Sequence, residues 1–186
     1  MPAVALVAEG PFDEDVLKAL IHRIREDRLD VHSRICRGSL AGRYVRHLKE
    51  LQYESDFEKA LVVTDAHGRN PQTLVDQLRR EIKNVRLPFQ VQFVVVVQEL
   101  EAWLLADHLA LNLVAAERGC PENFHPLIDN PEKIPDPKME LRRLLGNAGI
   151  PYTQGVAREI AQGSNLQTIA YWSESFRRFQ IAVNDP

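Results

Sequence analysis

Short apolar runs alternate with amphipathic stretches over the first hundred residues, the sequence sign of a parallel sheet covered by helices. Val4 to Ala8 reads as a buried strand. After Glu9-Gly10-Pro11-Phe12, the acidic cluster Asp13-Glu14-Asp15 suits the start of a helix, and Val16, Leu17, Leu20, Ile21 and Ile24 then share one helical face. Val31 to Cys36 predicts an edge or half-covered strand, because polar His32 and Arg34 alternate with its other side chains. A Gly-rich turn, Arg37 to Gly42, feeds a basic helix from Arg43 to Leu51 that carries Arg46, His47 and Lys49. Leu61 to Thr64 is the third strand and Gln90 to Val97 the fourth, the latter so apolar that cover on both faces is expected. Between them, after the Asp65 to Pro71 loop, Leu74, Val75, Leu78, Ile82 and Val85 predict another helix.

Beyond Glu101 the pattern changes. Ala102 to Asp107 reads as helical, the proline-rich stretch 119–138 as a loop, and no strong strand follows. Four apolar patches then suggest short helices: Leu141, Leu144 and Leu145; Val156 and Ile160; Leu166 and Ile169; Phe176 and Phe179. The expected architecture is an α/β core over residues 1–118, with a parallel four-stranded sheet flanked by helices. A loop and helical extension over 119–186 would pack on it.

Composition narrows the function classes. In 186 residues, 45% are hydrophobic and 26% charged, which excludes disorder and fibrous structure and predicts one globular unit. No apolar run approaches the roughly 20 residues of a membrane-spanning helix. The N-terminal stretch lacks a basic n-region and meets Glu9 too early for a secretory signal, so a cytoplasmic location is expected. Two cysteines, Cys36 and Cys120, show neither a disulfide framework nor metal-ligand spacing. A net charge of -3 argues against a general nucleic-acid coat while leaving room for a local basic patch.

Three predicted strand ends present acids: Glu9, Asp65, and the pair Glu99 and Glu101. Ligands of open α/β sheets gather outside those ends. Clustered carboxylates repel one another unless a hard cation neutralises them, so a divalent metal is the economical reading. Each acid alone equally serves as a helix cap or a solvated loop residue. Glu99 is the weaker candidate, because neighbours along a regular element rarely serve one site. Arg37, Arg43 and Arg69 are candidate phosphate contacts, with a plain solvated surface as the alternative for the Arg43 to Lys49 set. Trp103, beside Leu104 and Leu105, is expected in the core.

The strand running into Glu9-Gly10, the motif Thr64-Asp65-Ala66-His67-Gly68 and the stretch Glu101 to Asp107 together resemble the Toprim-like proteins grouped as the DUF4276 family. Asp136-Pro137-Lys138, Tyr152 and Ser175-Phe176-Arg177-Arg178-Phe179 are similar to that family's closing pattern. The resemblance implies a Toprim-like fold, as in topoisomerases, primases and nucleases of overcoming-lysogenization-defect type. There a glutamate after the first strand acts as general acid or base, and an Asp-x-Asp motif holds Mg²⁺. Carried over, Glu9 takes the first role and Asp65 the first metal position; Glu101, from its place after the fourth strand, is the further candidate ligand. The second aspartate position holds His67, a departure, since imidazole suits Mn²⁺, Zn²⁺ or proton transfer better than Mg²⁺.

The implied function is an Mg²⁺- or Mn²⁺-dependent nuclease acting on DNA or RNA in defence against foreign genetic elements. Its partners would be nucleic acid and a separate ATPase of AAA or SMC type, since the chain has no phosphate-binding Gly-x-x-x-x-Gly-Lys motif. The alternative is a non-catalytic Toprim-like subunit that binds a partner ATPase or nucleic acid. A phosphatase or nucleotidyl enzyme on the same fold is a third.

Overall fold

The computed structural model describes residues 2–25, 29–38, 40–120, 123–126 and 130–185. Ser39 in the Gly-rich turn, and residues 121–122 and 127–129 of the expected loop, lie outside the described residues. The sheet comprises β1 (Ala3–Ala8), β2 (Asp30–Ile35), β3 (Lys59–Asp65) and β4 (Gln90–Val96), all parallel, in the order β2-β1-β3-β4. Helices α1 (Pro11–Ile24), α2 (Tyr44–Leu51) and α3 (Pro71–Ile82) connect successive strands. After β4 come α4 (Glu101–Leu105), α5 (His108–Glu117), a single 3-10 turn at Pro131–Lys133, and α6 (Pro137–Asn147), α7 (Gln154–Gly163), α8 (Leu166–Trp172) and α9 (Glu174–Asn184).

Because side chains alternate across a strand, β1 supplies both cores. Val4, Leu6 and Ala8 face α1 and the C-terminal helices, while Ala3, Ala5 and Val7 face α2 and α3. β3 divides in the same way, with Leu61 and Val63 on the first face and Ala60 and Val62 on the second. The helices α4 to α9 share the first core, closed by Trp103, which packs edge-on against Phe176 and tilted against Phe179 with ring centroids 5.1 and 5.2 Å away. Trp103 is fully buried and its indole N–H donates to Ser175 Oγ at 2.9 Å, so it is a core residue as expected.

The fourth strand has the expected cover on both faces over its last three residues. It is an edge strand, and only Val94, Val95 and Val96 are buried, the first half of the strand being partly open. The strands covered on both faces along their length are β1 and β3, at the centre of the order. Helices α3 and α9 both pack on β4, which accounts for an apolar run on an edge strand. β2 is the other edge, as its alternating pattern predicts.

Side-chain caps start the later helices. Asn70, Asp107, Asp136, Thr153, Asn165 and Ser173 each accept a backbone N–H of the first turn. No described helix is long and apolar enough to cross a membrane.

Candidate functional site

The chain leaves β1 for β2 on one side and returns to β3 on the other, so the carboxyl ends of β1 and β3 form the topological switch point of the sheet. Glu9 immediately follows β1 and Asp65 is the last residue of β3. The two are tied together: Glu9 Oε1 accepts the Thr64 hydroxyl and the Asp65 N–H, the latter at 3.3 Å. Pro11 starts α1 without needing a donor, and the Gly10 N–H donates to Asp13 Oδ2 at 2.9 Å. That contact holds Asp13 at the same edge.

The C-terminal helices close over this edge. Glu101 opens α4 and is 3% exposed; its Oε1 accepts the Tyr152 hydroxyl at 3.0 Å and lies 3.2 Å from Lys138 Nζ. Lys138 sits in the first turn of α6, where backbone donors lack intrahelical partners, and its N–H donates to Glu99 Oε2 at 3.1 Å. Glu99 Oε1 is 3.6 Å from His67 Nδ1. Phe12, beside Asp13, packs on Tyr152 at 5.5 Å and lies beneath the Lys138 ammonium at 5.7 Å. Both acids around Leu100 therefore reach one group, because the chain bends there from strand exit into helix instead of continuing as a regular element.

The electrostatics are those of a crowded anionic site. Burial, and then the negative fields of Asp13, Glu101, Glu9 and Glu99, hold the Asp65 carboxyl well above the usual carboxylate range. Asp13 is pushed up to about 6, first by burial and then by Glu101, with Lys138 opposing. Burial works against the Lys138 ammonium, but Glu101, and after it Asp13 and Glu99, outweigh that and raise it above the ordinary lysine value. Burial and Glu101 push the Tyr152 hydroxyl up in the same way, so it remains a neutral donor. The Lys138 ammonium thus faces Glu101, Asp13 and Glu99.

Among the described residues, no three His, Cys, Asp or Glu side chains form a ready-made group for a metal ion. The donor chemistry nonetheless fits a hard cation, since carboxylate oxygens predominate and Lys138 offsets only part of their mutual repulsion. His67 lies on the rim, half exposed, in a left-handed turn with φ 47° followed by Gly68 at φ 77°.

The basic residues are held by loop carbonyls. Arg43 donates to the carbonyls of Cys36 and Arg37 at 3.0 and 2.9 Å, and Arg69 to those of Ala66 and Asp65 at 3.0 and 3.3 Å. Among the described residues neither they nor Arg37 form an ion pair with a carboxylate. All three follow β2 or β3 and so stand at the same edge as the acids. Arg142, Arg143, Arg177 and Arg178 are exposed, as expected. Cys36 and Cys120 are free, and burial, then Glu9, pushes the Cys36 thiol up to about 11, so it is inert at neutral pH.

Asp13 is the residue that sequence reasoning passed over. Its position in an acidic helix start fully accounted for it, and only the Glu9 to Asp13 spacing across a helix entry marks it. Lys138 and Tyr152 carried no signal beyond the family resemblance.

The profile of the family described as "Domain of unknown function (DUF4276)" matches residues 8–183. No curated protein matches the chain. Among solved structures, the C-terminal region of the OLD protein of Xanthomonas campestris pv. campestris is similar, at 16% identity and a TM-score of 0.46, over 97% of this chain and 95% of that one.

Proposed function

We propose that this chain, which belongs to the DUF4276 family, is a Toprim-like, metal-dependent enzyme that cleaves phosphodiesters in nucleic acid. The observation that carries this reading is the state of Asp65. It stands at the switch point of a parallel sheet with its carboxyl held high by burial and by four other acids. Glu9, Asp13, Glu99 and Glu101 around Asp65 offer carboxylate oxygens to a divalent cation, which metal-assisted phosphoryl transfer uses. Asp65, Glu9 and Glu101 would hold Mg²⁺ or Mn²⁺, which when bound supplies Lewis acidity toward a phosphate oxygen and lowers the pKa of a water.

The chain's own groups do the rest. Thr64 and the Asp65 N–H fix the Glu9 carboxylate, and Tyr152 fixes Glu101, so each acid keeps its orientation. Asp13, with its proton leaving near pH 6, takes or returns a proton close to neutrality, beside Glu9 as the other acid-base candidate. His67, 3.6 Å from Glu99, is a third proton carrier at the rim. Lys138 offers positive charge where a phosphate would collect negative charge, and Arg37, Arg43 and Arg69 hold the flanking backbone. A role in defence, with the ATPase on a separate AAA- or SMC-type subunit, follows from the family resemblance.

His67 in the second acidic position favours a second reading, a non-catalytic subunit that binds nucleic acid or a partner ATPase. Calorimetric titration with Mg²⁺ and with Mn²⁺ separates the two. Saturable binding that Asp65→Asn and Glu9→Gln each weaken about tenfold or more, with oligonucleotide cleavage lost in the same variants, supports the enzyme. Wild-type protein that binds neither ion and cleaves nothing leaves the non-catalytic reading.

A further inference from the structure

We infer that the cavity beside Glu9 and His67 is a subsite for one unstacked nucleoside, so that the substrate is single-stranded or locally opened nucleic acid instead of intact duplex. This rests on the phosphodiesterase reading and adds the substrate class. The cavity has a volume of about 380 Å³, within the range of small-ligand sites. It runs from the carboxylate edge into the space between the β2–α2 loop and α3, sharing Glu9 and His67 with the site already described.

Its chemistry divides along its length. Leu40 on the loop side and Leu74 and Leu78 on α3 give aliphatic walls suited to the faces of a planar base. Gln77 adds an amide for a base edge, and Arg69, with Glu9, Thr64 and His67, makes the opposite end polar. A ligand with an apolar flat body and a phosphate held by Arg69, with a cation on Glu9 offsetting that carboxylate, fits this gradient, whereas a bare phosphate leaves the aliphatic part empty.

The walls are tied at a fixed separation. The Tyr44 hydroxyl donates to the Leu78 carbonyl at 2.5 Å, and the Gly42 N–H to Glu81 Oε2 at 3.0 Å, so α2 and its preceding loop are both bonded to α3. Among the described residues, the two non-glycine residues with left-handed φ are Arg37, at 46° beside the lining Gly38, and His67, at 47°. Strained backbone thus stands on both sides of the one cavity, as it does at ligand sites elsewhere. A base that enters such walls has left its stack and its partner, which costs least in single strands.

The test is equilibrium binding of a nucleoside 5′-monophosphate to the whole chain in Mn²⁺, with inorganic phosphate in parallel. Ala41→Trp and Gln77→Trp place an indole in the cavity from two exposed positions, and circular dichroism checks that each variant folds. The expected result is nucleotide binding at least about tenfold tighter than phosphate, weakened about tenfold by either variant while phosphate binding is kept. Single-stranded oligonucleotide should also be cut faster than its duplex. Nucleotide that binds no better than phosphate, or folded variants that bind it as the wild type does, overturns the subsite. Nucleotide binding with no cleavage of any strand instead overturns the phosphodiesterase reading and leaves the subsite standing, so the two failures are distinct.

Discussion

Lys138 Nζ lies 3.2 Å from Glu101 Oε1, joining the first turn of α6 to the first residue of α4 across the carboxyl edge of the sheet. The pair is unequal, because Glu101 is buried while the lysine is about one-third exposed. Removing the ammonium leaves a buried carboxylate with Tyr152 as its remaining hydrogen-bond donor, beside Asp13 and Asp65. Lys138→Met is therefore expected to cost ~1–3 kcal/mol in urea unfolding, less than the loss of a fully buried partner because water screens the lysine. Added Mn²⁺ should restore most of that loss, since a cation bound by the same acids replaces the missing charge. A variant as stable as the wild type without metal would show that the ammonium does not neutralise the cluster.

Asp13 gives the pH dependence. Its carboxyl is raised from 3.8 to about 6 in the fold, so the folded state binds that proton more tightly than the unfolded state does. Its ionisation costs stability, fully above about pH 6, and the cost disappears as pH falls below the unfolded value. Asp13→Asn keeps an acceptor for the Gly10 N–H but no charge. It is expected to be more stable than the wild type by ~1–3 kcal/mol near pH 7.5, with the difference gone near pH 4. Chemical denaturation at the two pH values checks it, and a variant less stable at both would contradict the assignment.

The same two residues show what the sequence could and could not disclose. Strands β1 and β3 and the acids after them were legible because burial on two faces demands apolar runs, and a parallel sheet sends each following loop to one edge. The apolar run of β4 records the helices packed on that strand but not its edge place in the sheet order. Asp13 stayed hidden because an acid at a helix start already has a local reason to be there. Lys138 and Tyr152 arrive at the site from the helical extension, and the α4 to α6 packing that brings them has no periodic signature.

Glu132 is a buried acid with a different purpose. Its Oε1 accepts from Ser173 Oγ at 2.5 Å, Ser175 Oγ at 2.6 Å and Ser175 N at 3.1 Å, and Oε2 accepts from Glu174 N at 3.2 Å. It therefore caps α9, and Ser175 passes the contact on to the Trp103 indole in α4. Glu132→Gln turns an amide NH₂ toward groups that are themselves donors. The expected cost is ~2–4 kcal/mol by urea unfolding, with weaker Mn²⁺ binding because α4 carries Glu101. Stability within about 0.5 kcal/mol of the wild type would mean that the serines reorient freely.

His67→Asp decides how the site works. The position is left-handed at φ 47°, a conformation that aspartate tolerates better than most residues, and its side chain is half exposed, so the variant should fold. An added carboxylate near Glu99 increases the repulsion within the cluster, and the metal-free protein is expected to lose ~1 kcal/mol of stability. Mg²⁺ should bind more tightly, since oxygen suits that ion better than imidazole nitrogen. If histidine belongs to the chemistry as a proton carrier, cleavage in Mn²⁺ stays level or falls despite the tighter binding. A rise in Mg²⁺-dependent cleavage from a silent wild type would instead mark the natural site as one that has given up catalysis, in favour of the non-catalytic reading.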